Sequence, residues 1–273
     1  MNTTDRVLGI IAGTLLLVGL AGLGGRVEPA VAGMALGSLA TSMIFVLLAF
    51  GLAGLPPETQ GGAARRLGLG RSRVAVGVSL ALACGTLCLS NVAETLIALL
   101  GADQVGSLAE IASALEGTRG VGLVLALISI GLVAGVSEEL FFRGLVQRAL
   151  ERRLAGVRGG ALLAVLAASG AFALAHWDPV HSPAAFVLGL YLGAVAQLTG
   201  SVRPAIACHV INNLGAVLSA SFGIDVPAWA GLLLAGQLAL ASAALALAWR
   251  LRRPAPSAAE TVAGGPFPRG PSS

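Results

Sequence analysis

Apolar runs long enough to cross a bilayer recur along this chain, and they decide what it can fold into before any single residue is considered. A hydrocarbon core about 30 Å thick takes roughly 17–25 helical residues to cross. Such runs occupy residues 7–25, 30–55, 74–100, 160–176, 183–200, 204–221 and 227–249, with one more starting near 121. Backbone N–H and C=O groups inside lipid must be satisfied internally, which a helix does within its own segment. The expected fold is therefore all-α, a polytopic membrane bundle of about eight transmembrane helices. Composition agrees: 11% of residues are charged and 56% hydrophobic, against about 25% charged in a soluble domain. The first run is too long for a signal-peptide core of about 7–15 residues and reads as a retained span.

The placement of arginine orients the bundle. All 17 basic residues are arginine. With the N-terminus in the cytoplasm, the loops holding Arg65 to Arg73, Arg148 to Arg158, Arg203 and Arg250 to Arg253 face inside, and Arg26 and Arg119 fall outside. This is a strong positive-inside pattern. It predicts a multi-pass protein of the cell's inner (plasma) membrane with both termini cytoplasmic. The formal charge of +4 is spread over these loops, so nucleic acid is not an expected partner. Residues 1–120 read as the first three helices with their loops, 121–222 as a core of four helices and 223–250 as a last helix. Residues 251–273, rich in Arg, Pro, Ala, Gly and Ser, read as a disordered tail. Cys84, Cys88 and Cys208 lie in apolar stretches without a disulfide pattern and are expected as small core residues.

Three sets of polar residues interrupt the spans. The first is Ser137-Glu138-Glu139-Leu140-Phe141-Phe142-Arg143, which follows an apolar run. Each charged group at that depth costs roughly 2.5–3.5 kcal/mol on insertion scales unless paired or wet. Glu139 and Arg143 share a helix face and are expected to pair. Glu138 is turned about 100° away and has no partner in its own helix. Environments that separate two carboxylates leave one of them for acid–base work. The second set is Phe172 to His176, ending the fifth run. The third is His209 to Asn213, where the two end residues project from one face. If these helices are neighbours, a carboxylate, two imidazoles and a carboxamide converge. A carboxylate with an imidazole can hold and deprotonate water, while imidazole and amide N–H groups can donate to an oxyanion. The same groups could instead ligate zinc, although the H-E-x-x-H signature is absent.

Read together, E-E-x-x-x-R, F-x-x-x-H and H-x-x-x-N in this order on successive membrane helices resemble the CAAX-protease and bacteriocin-processing (CPBP, or Abi) family, which includes the Ras-converting CAAX endopeptidases. The resemblance covers roughly residues 121–222. It implies an intramembrane endopeptidase in which Glu138, assisted by His176, activates water. It implies His209 and Asn213 as the oxyanion-side pair, with Glu139 and Arg143 as a supporting salt bridge. Family members are often labelled metalloendopeptidases; the metal stays open here, with a divalent ion such as zinc on Glu138, His176 and His209 as the alternative and a metal-free site preferred. The implied partners are the lipid bilayer and a polypeptide substrate: a lipidated protein, a bacteriocin precursor or a signalling peptide. Two other readings compete. One is a non-catalytic scaffold or immunity protein of the same fold. The other is a proton-coupled transporter, which predicts broken helices and a repeat that the sequence lacks.

The depths of these residues constrain the fourth helix. If it ended near Arg143, Glu138 would lie about 8 Å below the cytoplasmic face and His176 about 24 Å deep. Continuing it towards Leu150 buries Glu138 to about 18 Å, so a longer fourth helix is predicted. The remaining polar and aromatic residues have plainer expectations. Glu94, near Asn91, is expected to stabilise the bundle. Asn212 is expected to pack. Asp178 and His181 are expected to serve the turn. Phe141, Phe142 and Phe172 are expected as packing residues, and Trp177, Trp229 and Trp249 as interface anchors.

Overall fold

The structure is a computed structural model, and it describes residues 30–53, 62–224 and 233–252. The first expected span at 7–25, the start of the last one, Trp229 and the tail from 253 lie outside the described residues. Every regular element among those described is helical. We label them α1 (Ala30–Ala53), α2 (Gly62–Arg66), α3 (Val76–Leu99), α4 (Gly106–Leu115), α5 (Gly120–Arg153), α6 (Gly160–Leu174), α7 (His181–Thr199), α8 (Val202–Phe222) and α9 (Leu234–Leu251). Helices α1, α3, α5, α7, α8 and α9 are long and apolar enough to cross a membrane. The fifth expected span is the shorter helix α6, 15 residues long.

The longer fourth helix is present: α5 runs without a break for 34 residues. It is not uniform. Two π-helical stretches, Leu127–Ala134 and Leu140–Gln147, flank a single α-helical segment, Gly135–Glu139. π-Helical turns are rare, occur mostly as short bulges inside α-helices, and frequently sit at functional sites. All eight residues from Leu140 to Gln147 are buried. A helix buried on every side lies at the centre of its bundle. Here α1, α6, α7 and α8 surround it.

Small residues let the backbones come close, as they do where membrane helices associate. On α5, Gly131 and Gly135 face Leu214 and Val210 of α8, and a Cβ built on Gly135 would lie 3.2 Å from the Val210 backbone. On α7, Gly189 faces Arg143 and Phe172, with Arg143 Nη2 3.3 Å from where its Cβ would be. The Gly-x-x-x-Gly spacing at both contacts is legible in the sequence. Phenylalanines fill the space beside this seam. Phe45 stacks on Phe141, and Phe141, Phe142 and Phe172 follow one another edge to face, with centroids 5.0 and 5.2 Å apart. The packing role expected of them is what the fold shows. A second core joins α3, α7, α8 and α9 around Leu82, Tyr191, Leu192, Cys208 and Ala241. Cys208 belongs to it, whereas Cys84 is exposed, so that cysteine is not a core residue. Trp177 and Trp249 are exposed, as anchors would be, and Arg252 lies over the Trp249 ring at 3.5 Å.

Candidate active site

The close approach of Gly135 to Val210 sets the site. It places His209, the next residue on α8, beside the adjacent carboxylates of α5. His209 Nδ1 lies 2.9 Å from Glu139 Oε1, and Arg143 Nη1 lies 2.9 Å from the same oxygen. Both Glu139 and Arg143 side chains are fully buried. The Arg143 guanidinium and the His209 ring therefore share one carboxylate, so that the buried ion is not stranded. Arg143 is held further: Nη2 donates to the Gly189 carbonyl at 3.3 Å, and the guanidinium sits 4.4 Å over the Phe172 ring. One turn on, Gln147 repeats the pattern by donating to the Gly193 carbonyl at 3.1 Å and to Glu151 at 3.0 Å. The residues Glu139, Arg143, Gln147 and Glu151 thus form a polar stripe at four-residue spacing. Gln147 and Glu151 were missed from sequence, although the spacing marked them.

The environments of the two carboxylates differ. The Glu138 side chain keeps 21% of its surface exposed, and its Oε2 lies 3.6 Å from His209 Nε2. At that distance the two groups attract as ions or share a water to one side. An ionised Glu139 only accepts, so His209 donates through Nδ1 and turns Nε2 towards Glu138. The partner absent from Glu138's own helix is thus supplied by α8.

His176 stands in the turn after α6. Its Nδ1 is 2.9 Å from the Phe172 carbonyl. A carbonyl only accepts, so Nδ1 carries the proton and Nε2 presents a lone pair. The Phe172 ring lies between the two imidazoles, 4.9 Å from His176 and 5.6 Å from His209 by centroid. No hydrogen bond or ion pair joins Glu138 to His176 among the described residues. The imidazole in contact with Glu138 is that of His209, an arrangement the family resemblance did not imply. The physical reason is the α5–α8 glycine contact, which brings α8 closer to Glu138 than the end of α6.

Asn213 shares the His209 face of α8 and donates through Nδ2 to the Ile130 carbonyl in the first π-helical stretch at 3.3 Å. Asn212 does more than pack. It donates to Asn213 Oδ1 at 3.4 Å and accepts a hydrogen bond from Ser90 of α3. Ser90 carries no signal in the sequence. Glu94 is exposed and makes no hydrogen bond or ion pair with a described residue, so the bundle-stabilising role expected of it finds no partner there.

The metal alternative can be tested on the donors themselves. Among the described residues, no three His, Cys, Asp or Glu side chains are grouped to hold a metal ion. His209 Nδ1 is engaged by Glu139, and His176 Nδ1 by Phe172. Those bonds leave the Nε2 of each ring as its only nitrogen able to ligate; Glu138, His176 and His209 do not form such a group as placed, and no step below is routed through a metal.

The turn between α6 and α7 serves as structure, as expected. Asp178 Oδ1 accepts from the N–H groups of Val180 and His181 at 2.8 and 2.6 Å, and Oδ2 from that of Ser107 at 2.6 Å. One carboxylate thereby caps the starts of both α4 and α7. Partial burial alone would raise its pKa, but donation from His181, Ser107 and Val180 outweighs burial and holds it below the ordinary value. His181 Nδ1 and Ser107 Oγ are hydrogen-bonded at 3.1 Å, and the His181 ring lies against His176, centroids 4.2 Å apart.

A multi-pass helical bundle with a carboxylate beside an imidazole at its centre, and a second carboxylate locked by arginine, defines a class of membrane-embedded protein built around buried acid–base groups. Residues 120–215 match the family described as Rce1-like, type II CAAX prenyl endopeptidase, the family that the three motifs resemble. The match covers α5 to most of α8 and includes every candidate residue from Glu138 to Asn213. No curated protein and no solved structure matches the chain.

Proposed function

We propose that this protein is an intramembrane endopeptidase that hydrolyses a peptide bond in a membrane-associated, lipidated or otherwise bilayer-bound polypeptide. The observation that carries the reading is the contrast between Glu139, buried and doubly bonded, and Glu138, partly exposed beside His209. Glu138 is the group left free to take a proton from water. His176 supports it by accepting a hydrogen bond from the other O–H of that water at its unprotonated Nε2, and that O–H bond stays intact. The hydroxide attacks the carbonyl carbon, and the oxyanion receives His209 Nε2–H and the second N–H of Asn213. Collapse breaks the C–N bond, and the proton held by Glu138 passes to the leaving amine. Glu139 and Arg143 do not touch substrate; Glu139 takes the Nδ1–H of His209 and fixes the ring, so donation from Nε2 to the oxyanion uses the doubly protonated imidazolium form. The protein sits in the inner membrane with both termini cytoplasmic, and substrate enters from the arginine-rich side.

The test is cleavage of a farnesylated, internally quenched CAAX peptide by the full-length chain in phospholipid vesicles. Cleavage that is lost in Glu138→Gln, with the thermal transition preserved, supports the reading. Equal rates from both forms would overturn it.

A further inference from the structure

The oxyanion role proposed for Asn213 requires its amide to point one way only, and the structure supplies a reason that it does. The Ile130 carbonyl can only accept, so Asn213 must present Nδ2 to it. Asn213 Oδ1 then faces Asn212, which must answer with its own Nδ2. That leaves Asn212 Oδ1 as an acceptor, and the group in front of it is the Ser90 hydroxyl. The chain of donors therefore runs in one direction, from Ser90 through Asn212 and Asn213 to Ile130. One N–H of Asn213 remains outside the chain, available to a reacting carbonyl.

We propose that Ser90 on α3 is a positioning residue for the hydrolytic site, fixing the Asn212 and Asn213 amides so that the free Asn213 N–H faces the oxyanion. The inference rests on the protease reading above. Ser90 lies outside residues 120–215, so the catalytic segment borrows an orienting hydroxyl from a flanking helix. The geometry also gives Asn212 a reason to be polar. An apolar residue there would break the chain and leave the Asn213 amide held by the Ile130 carbonyl alone, with its Oδ1 unanchored and its free N–H less firmly aimed.

Threonine and valine have the same shape and differ by the hydroxyl, so Ser90→Thr and Ser90→Val separate donation from packing. The measurement is kcat and KM on the farnesylated CAAX peptide in vesicles, with Asn213→Ala as reference. Loss of one orienting hydrogen bond is expected to lower kcat roughly three- to tenfold in Ser90→Val with KM unchanged, while Ser90→Thr keeps most of the rate. Asn212→Leu is expected to match Ser90→Val. Equal kcat values in the Thr and Val variants, or a wild-type rate from Asn213→Ala, would overturn the inference and leave the protease reading standing. No cleavage by the unsubstituted protein would overturn both.

Discussion

Glu139 and Asp178 are both carboxylates held by three groups or fewer, yet they are held in opposite ways. Glu139 lies in the middle of the bundle with no exposed surface, and its partners are the Arg143 guanidinium and the His209 imidazole. Asp178 lies in a turn between helices, and its partners are three backbone N–H groups. The difference follows from the surroundings. Deep burial removes the water that stabilises an ion, so another charge must replace it. In the turn, helix-start N–H groups need an acceptor, and a carboxylate supplies one. Glu138 is the intermediate case: it is next to Glu139 in sequence, has a single imidazole neighbour and keeps some exposure. In the reaction proposed above it is the carboxylate that takes the proton from water and returns it to the leaving amine.

The sharpest test of that ordering is Glu138→Gln, expected to lower kcat by about 10²–10⁴-fold with little change in thermal stability. An equal loss of stability would place Glu138 with Glu139 as a structural ion. Arg143→Met removes a partner from the buried carboxylate and is expected to cost about 3–5 kcal/mol, read from thermal unfolding in detergent. The double change Glu139→Gln with Arg143→Met should recover much of that loss, because no stranded ion remains; a double variant as unstable as the single would break the comparison. Gly189→Ala adds a methyl group where Arg143, Phe172 and Ser169 already crowd, and is expected to cost about 1–3 kcal/mol.

The smallest effect belongs to the turn. Asp178→Asn keeps the shape but weakens the caps, at about 1 kcal/mol. Because the folded pKa of Asp178 lies below its ordinary value of 3.8, its contribution is present above that value and is lost as pH falls through the folded pKa. The gap in melting temperature between wild type and Asp178→Asn should therefore be open near neutrality and close under acid. A gap independent of pH would mean that the charge contributes nothing.

The polar motifs were legible because lipid makes them conspicuous. Glu138, Glu139, Arg143, His209 and Asn213 stand out against apolar spans, and their spacing set the Glu139–Arg143 pair and the shared face of His209 and Asn213. The long α5 was legible too, from depth alone. Cys84 and Glu94 misled for a related reason: an apolar span has both an inward and an outward face, and composition does not say which residue takes which. Asn212 misled because angular offset on its own helix says nothing about what a neighbouring helix presents.

By itself the sequence determined an all-helical membrane protein, the central members of its polar seam and the loops in which its arginines cluster. Those are consequences of hydropathy and of spacing along one helix. Only the tertiary structure decided that His209 rather than His176 meets Glu138, that Ser90 reaches Asn212, and that π-helical turns frame Glu138 and Glu139. Such contacts depend on how closely two backbones approach, here through Gly135 against Val210, and helix-to-helix distance is a property of the packed bundle rather than of any one segment.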